Sequence, residues 1–303
     1  MGAIVGEPVT APRLELTLMG SPRLRCAAEP IALSPGPSLL CAYLALSPGE
    51  GRRREVAAAQ LFADSPEPLA RRRLSTALWR LSTEVRSAVG IDLVARTHDD
   101  RVRLSPSVEM SLDTTAFEAL VLPALGVRPE CLTADLAASL RRAVALHGGE
   151  LVEQCRDDWV LVERSRIEAL YLTALDYLVV HHGQRGEHAE VSRYGELALT
   201  LEPLREDVHR HVMSAYAAAG RDDLVERQFE RCRRVLVDEL GVDPMPETVA
   251  LYSRLRHGST LATPSLAPPS LAALRADLER ARRDVDRLAC LLDRTLDHLR
   301  QRH

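Results

Sequence analysis

Hydrophobic spacing changes period along the chain. In RLELTL (13–18), Leu14, Leu16 and Leu18 alternate with polar neighbours, the period-two pattern of a half-buried strand. RLRC (23–26) and IAL (31–33) follow the turn at MGSP and are long enough to complete a small sheet. The period then lengthens. Leu39, Leu40, Tyr43, Leu44 and Leu46 predict a helix over 37–47, stopped by Ser47-Pro48-Gly49. Val56, Gln60 and Leu61 predict a second helix over 53–63, and a third runs over 68–89. DLVART (92–97) and RVRL (101–104) flank His98-Asp99-Asp100 and predict a hairpin.

From 113 onward the pattern is helical, with expected helices over 113–125, 133–147 and 157–183. An internal repeat follows. Gly186-Glu187-His188-Ala189-Glu190-Val191 aligns with Gly220-Arg221-Asp222-Asp223-Leu224-Val225 at a shift of 34 residues. The same shift carries Ala198 onto Cys232 and Leu201 onto Val235. That is the tetratricopeptide period, two helices per unit, and such units bury their apolar faces only by stacking.

GSTLATPSLAPPS (258–270) is rich in Pro, Ser and Thr and reads as a linker. Beyond it Leu271, Leu274, Leu278, Ala281, Val285, Leu288, Leu292, Thr295 and Leu299 alternate spacings of three and four. This a/d seam predicts a coiled coil and a homodimer, with Leu271, Leu274, Leu278, Val285, Leu288, Leu292 and Leu299 as dimerisation residues. Ala281 and Thr295 weaken it, and a single helix packing back on the repeats is the alternative.

The fold class expected is mainly α with a small N-terminal α+β part. A winged helix-turn-helix precedes tetratricopeptide-like repeats and a C-terminal coiled-coil helix. The expected domains are a flexible leader (1–12), the winged helix (13–110), the repeat domain (111–257), the linker (258–270) and the coiled coil (271–303).

Charge adds a function. The net charge is −4, so a nucleic-acid surface must be local. All 39 basic residues are arginine, which a GC-rich genome explains without any function. Their placement is more telling. Residues 52–103 hold eleven arginines and seven acids, while the remainder of the chain is acidic. On the third helix Leu74, Leu78, Leu81 and Val85 form one stripe, within about 60° of each other at 100° per residue. Arg72, Thr76, Arg80 and Thr83 take the opposite face, Trp79 and Arg86 border it, and Arg71 and Arg73 open the helix. Arg can make two hydrogen bonds to guanine O6 and N7, and Thr can bond a base edge or touch a thymine methyl. A solvated face would mix in Glu, yet 70–88 holds five arginines and one acid, Glu84. Arg96, Arg101 and Arg103 on the hairpin are placed to reach the minor groove or its phosphates. Arg52, Arg53 and Arg54, at the start of the second helix, are possible phosphate contacts, with a solvated turn as the equal alternative.

Other chemistry finds no support. There is no GxSxG, HExxH, Rossmann or P-loop glycine pattern, so the chain reads as no enzyme, with no cofactor and no metal. His181-His182 and His209/His211 have poor ligand spacing and read as structural or surface residues. The six cysteines form no CxxC pair and read as small buried hydrophobes of a reducing cytosol. Asp157-Asp158 reads as an N-cap with first-turn acids, and Trp159 as packing between helices. No apolar run reaches about 18 residues and the opening lacks a signal-peptide pattern, so a cytoplasmic, nucleoid-associated location without membrane contact is expected.

Several strings resemble the SARP-type regulators (Streptomyces antibiotic regulatory proteins). They are LLCAYLALSPG (39–49), ARRRLSTALWRL (70–81), DDWVLVERSRIEALYLTALDYL (157–178), LEPLREDVHRHVMSAYAAAG (201–220) and RQFERCRRVLVDELGVDPMPET (227–248). The resemblance spans about 13–256. It implies an OmpR-type winged helix followed by a bacterial transcriptional activation domain. It further implies activation of antibiotic (secondary-metabolite) gene clusters, binding to direct repeats in double-stranded promoter DNA, and recruitment of RNA polymerase through its sigma factor and alpha subunits. SPGPS (34–38) departs from the family in lacking basic residues before the first helix, and the segment after 270 lies outside the family core. The alternative function is a helical-repeat scaffold whose winged helix binds protein.

Overall fold

The computed structural model describes residues 13–258 apart from 48 and 154, with side chains to Arg256. The predicted leader, most of the linker and the coiled coil lie outside the described residues.

Strands β1 (Leu14–Thr17), β2 (Arg23–Cys26) and β3 (Glu29–Ile31) form an antiparallel meander, with Leu16 opposite Leu24 and Leu24 opposite Ile31. The third strand begins earlier than its apolar run predicts. Ala27 and Ala28 both take positive φ, at 46° and 71°, and make a two-residue turn. Such turns usually announce themselves with Asn-Gly or Asp-Gly, and two alanines carry no such mark.

Helix α1 (Pro35–Ala45) starts behind Ser34, with Pro at a first-turn position where its missing N–H is harmless. Helices α2 (Arg54–Leu61) and α3 (Glu67–Val89) follow, and Gly90 at φ 72° ends α3. Arg52 and Arg53 do not open the second helix as expected. They form the short strand β4 (Arg52–Arg53), which pairs with β6 (Arg101–Leu104), itself paired with β5 (Val94–Arg96). Gly51 makes this possible: its φ is +82°, and a Cβ there would lie 2.5 Å from the Val102 carbonyl oxygen. The predicted stripe of Leu74, Leu78, Leu81 and Val85 is buried with Leu40, Leu44, Leu93 and Val102.

A strand absent from the sequence reading joins the two halves. β7 (Met110–Leu112) runs parallel to β1, Leu14 opposite Met110 and Leu16 opposite Leu112. The 110/111 boundary therefore falls inside a strand of the N-terminal sheet. Helix α4 (Asp113–Val121) leaves directly from it, and the Asp113 carboxylate accepts from the Leu18 and Met19 amides at 2.8 Å each. The loop before the long helix adds a second seam: the Val152 amide donates to the Leu18 carbonyl at 2.8 Å, and Gly20 to the Glu150 carbonyl at 3.0 Å. Buried Arg164 holds that loop from beneath. Its guanidinium donates to the carbonyls of Leu151, Val152 and Cys155 and pairs with Glu150.

The helical half continues with α5 (Ala134–Leu146), α6 (Asp158–Gln184), α7 (His188–Leu201), α8 (Glu206–Ala218), α9 (Asp222–Leu240) and α10 (Pro246–Gly258). His188 and Asp222, which begin α7 and α9, keep the 34-residue period. Gly186 and Gly220, at φ 69° and 68°, turn the chain at equivalent points. Gly195 lets α7 and α8 approach, since a Cβ there would lie 2.4 Å from Val212 Cγ2.

Asp157 stands at the N-cap of α6 but makes no side-chain cap bond; its carboxylate accepts from the Trp159 indole instead, at 3.2 Å. Trp159 packs edge-on against Tyr43 of α1, ring centroids 5.1 Å apart. Cys41, Cys155 and Cys232 are buried as expected, and burial pushes the Cys41 and Cys232 thiols up to about 12. Cys131 is exposed, and Cys290 lies outside the described residues. His209 is fully buried, bonded to the Pro203 carbonyl and to Gln228 at 2.9 Å each. His182 is buried, bonds Glu187 and stacks on Tyr194.

Candidate nucleic-acid interface

The outer face of α3 is open to solvent. Arg71, Arg72, Arg73, Thr76, Trp79, Arg80, Thr83 and Arg86 are all exposed, and Trp79 is 67% exposed despite its size. The helical half does not cover this face.

The arginines divide by what holds them. Arg71 lies toward α2 and is paired with Glu55 and Glu67, at 2.8 and 2.6 Å. Arg73 donates to Ser65 Oγ at 2.7 Å and lies over the Phe62 ring, 4.7 Å from its centroid. Arg86 pairs with Asp92 beyond the end of the helix. The guanidinium groups of Arg72 and Arg80 have no hydrogen-bond or ion-pair partner among the described residues. They flank Thr76 on one ridge, four residues to either side. A shallow cleft runs beside this ridge, lined by Gly36, Pro37, Phe62, Leu69, Ala77 and the ridge residues.

The one acid of this stretch is withdrawn. Glu84 is half-buried and accepts from both the Ser34 amide (3.0 Å) and the Ser34 hydroxyl (2.6 Å), which ties it to the start of α1. The sequence reading treated Glu84 only as a charge. It missed Leu69, 49% exposed beside the ridge. Leu69 lies eleven residues before Arg80, about three helical turns, so the helical period carried the signal.

The hairpin arginines fare differently. Arg96 is exposed and has no partner among the described residues. Arg101 is only 28% exposed; it donates to Asp99 at 2.7 Å and to the Gly51 carbonyl at 3.2 Å. Asp99 is held below its ordinary range, first by the Thr97 hydroxyl and further by Arg101. Arg103 is half-buried, and its Nε finds no partner. Of the three arginines before α2, Arg53 is exposed and uncommitted, and Arg52 donates to Ser47 Oγ at 3.1 Å. Arg54 turns inward, donating to Ser75 Oγ of α3 at 2.8 Å and facing Asp100 at 3.7 Å. It ties α2, α3 and the hairpin tip together, so its guanidinium is not free for phosphate.

Among the described residues no cluster of His, Cys, Asp and Glu suits a metal ion, and no helix is long and apolar enough to cross a membrane.

Residues 112–256 match the bacterial transcriptional activator domain. The regulatory protein AfsR of Streptomyces griseus is 27% identical over 264 residues, covering 86% of this chain and 26% of that protein. AfsR of Streptomyces coelicolor is 31% identical over 146 residues, covering 48% of this chain and 14% of that protein. The chain thus spans about a quarter or less of these relatives. Among solved structures, Mycobacterium tuberculosis EmbR in complex with a low affinity phosphopeptide is similar with a TM-score of 0.63 at 19% identity, over 83% of this chain and 67% of EmbR; this likeness concerns the fold. With an activator-domain match at 112–256 and AfsR similarity reaching through most of the chain, the protein is similar to the SARP-type transcriptional regulators.

Proposed function

We propose that the chain is a sequence-specific DNA-binding activator that lays α3 in the major groove. The observation that carries this reading is the pair of uncommitted guanidinium groups, Arg72 and Arg80, on an exposed ridge, with Glu84, the one acid of residues 70–88, tied to Ser34. Arg can satisfy guanine O6 and N7 with two bonds, and such a contact discriminates bases by about 1–3 kcal/mol. Arg53 and Arg96 are placed for backbone phosphate, which fixes register without reading sequence. Arg71, Arg73, Arg86, Arg101 and Arg103 would join only by exchanging their protein partners or moving outward.

The finer reading follows the family resemblance and the heptad seam. The target is a promoter of an antibiotic or other secondary-metabolite cluster, bound at direct repeats. The helical half recruits RNA polymerase, and the seam from Leu271 to Leu299 makes a homodimer. Truncation after 269 should lower the mass measured by light scattering; an unchanged mass would remove the dimer from the proposal.

The main test is salt. Binding to the promoter beside its own gene should weaken by about 0.9 log units per phosphate contact for each log unit of salt. Arg72→Ala and Arg80→Ala should each cost about 1–3 kcal/mol on the specific duplex. Binding that ignores both changes would favour a protein-binding scaffold.

A further inference from the structure

The two threonines of the α3 face present their methyl groups rather than their hydroxyls. Thr76 Oγ1 donates to the Arg72 carbonyl at 3.1 Å, and Thr83 Oγ1 donates to the Trp79 carbonyl at 2.8 Å. Each hydroxyl is thus folded back onto the preceding turn of its own helix, the usual local bond of Ser and Thr inside helices. On a β-branched side chain this leaves the γ-methyl on the solvent side. Both residues are exposed, so a side-chain atom not held by its own helix can be reached from solvent.

Thr76 sits midway between Arg72 and Arg80 on the uncommitted ridge, and exposed Trp79 and Leu69 flank it. The ridge therefore reads guanidinium, methyl, guanidinium. In the major groove the complement of a methyl is the thymine C5-methyl, and the complement of a guanidinium is a guanine edge. We infer that Thr76 is a specificity-determining residue that reads a thymine through its 5-methyl group, beside guanines read by Arg72 and Arg80. Thr83 repeats the arrangement seven residues on, about 10 Å along the helix axis, for a second thymine about three base-pair steps away. This inference rests on the DNA-binding reading and adds to it the chemistry of the contacted base.

The test separates methyl from hydroxyl on both sides of the interface. The full chain selects duplexes from a random pool. Each thymine of the selected duplex is then replaced singly by deoxyuridine, which removes only the 5-methyl. Replacing the thymine read by Thr76 should weaken binding about fourfold, the worth of one buried methyl group, and so should replacing the one read by Thr83. Thr76→Val keeps the methyl and should bind the thymine duplex as well as the parent does, with the same fourfold response to deoxyuridine. Thr76→Ser keeps the hydroxyl and should lose about fourfold on thymine, with no further loss on deoxyuridine. Both variants suit an exposed helical position, and circular dichroism checks that they fold. If Thr76→Val binds poorly while Thr76→Ser binds normally, the hydroxyl does the reading and the inference is wrong. It is equally wrong if no deoxyuridine position couples to residue 76. A pool that yields no enriched duplex would instead overturn the DNA-binding reading itself.

Discussion

Helix α3 and the β5–β6 hairpin both carry several arginines, yet they dispose of them in opposite ways. On α3 the acids stand aside: Glu84 is tied to Ser34, Glu67 and Glu55 are drawn to Arg71, and Arg72 and Arg80 keep their full donor capacity. On the hairpin the acids lie next to the arginines: Asp99 takes Arg101, Asp100 faces Arg54, and Arg96 alone is exposed without a partner among the described residues. The same local charge excess therefore makes one surface that can grip an anion and one that largely neutralises itself. What a duplex meets is the set of uncommitted donors, which a charge count does not give. The Arg101–Asp99 pair keeps its acid half-open to solvent, and pairs screened by water are worth only about 0–1 kcal/mol, so phosphate could compete for Arg101.

The contrast can be broken at its strongest point. Replacing both Arg72 and Arg80 with Ala should cost about 2–6 kcal/mol on the selected duplex, while Arg101→Ala should cost under about 1 kcal/mol. Equal losses in a titration by fluorescence anisotropy would mean that the two surfaces work alike. The next effect is mechanical. Gly51→Ala places a Cβ against the Val102 carbonyl in a left-handed conformation, and should lower stability by about 1–3 kcal/mol in urea unfolding. It should also weaken DNA binding by displacing the hairpin from α3, with far-ultraviolet circular dichroism unchanged.

Acid should act on the scaffold and leave the cationic ridge alone. Burial holds the His209 imidazole below its ordinary value, with its bond to the Pro203 carbonyl opposing in part. Its neutral form is therefore the folded one. The stability this contributes is present above the unfolded value of about 6.5 and is lost as pH falls below it, at no more than about 1.4 kcal/mol per pH unit for one proton. His209→Gln should flatten the fall in melting temperature between pH 7.5 and 5.5; an unchanged slope would place the acid sensitivity elsewhere. Guanidinium groups in proteins are not deprotonated in this window, so the salt slope of binding should stay constant there. The smallest effect is expected from Asp99→Asn. It releases Arg101 and should raise non-specific DNA affinity by less than tenfold, adding about one to the salt slope.

Much of this was legible because it was local. The α3 stripe, its arginine face and the repeat at 186 and 220 are written in spacings of three, four and 34 residues, and each element buries or exposes what its own period predicts. The misses have long-range or backbone causes. Val108, Met110 and Leu112 do alternate with polar neighbours, but the run is short and abuts a helix, and its partner β1 lies almost a hundred residues earlier in the chain. Ala27-Ala28 turns tightly without turn residues. Arg52-Arg53 looked like a helix start until Gly51 bent the chain onto β6. Glu84 and Arg54 are ordinary surface charges by position, and only their distant partners, Ser34 and Ser75 with Asp100, draw them away from solvent.

The shared strand β7 has a mechanical consequence. The sheet that carries α3 and the helices beyond Asp113 meet through a parallel strand pair, the Asp113 carboxylate and the amide of Val152, and these seams leave no free swivel between them. A load applied to the helices beyond Asp113 is passed to the sheet that carries α3. Under the proposed function, a partner docked on the helices beyond Asp113 must accept the pose that a duplex on α3 imposes, and promoter spacing becomes a geometric constraint on that partner.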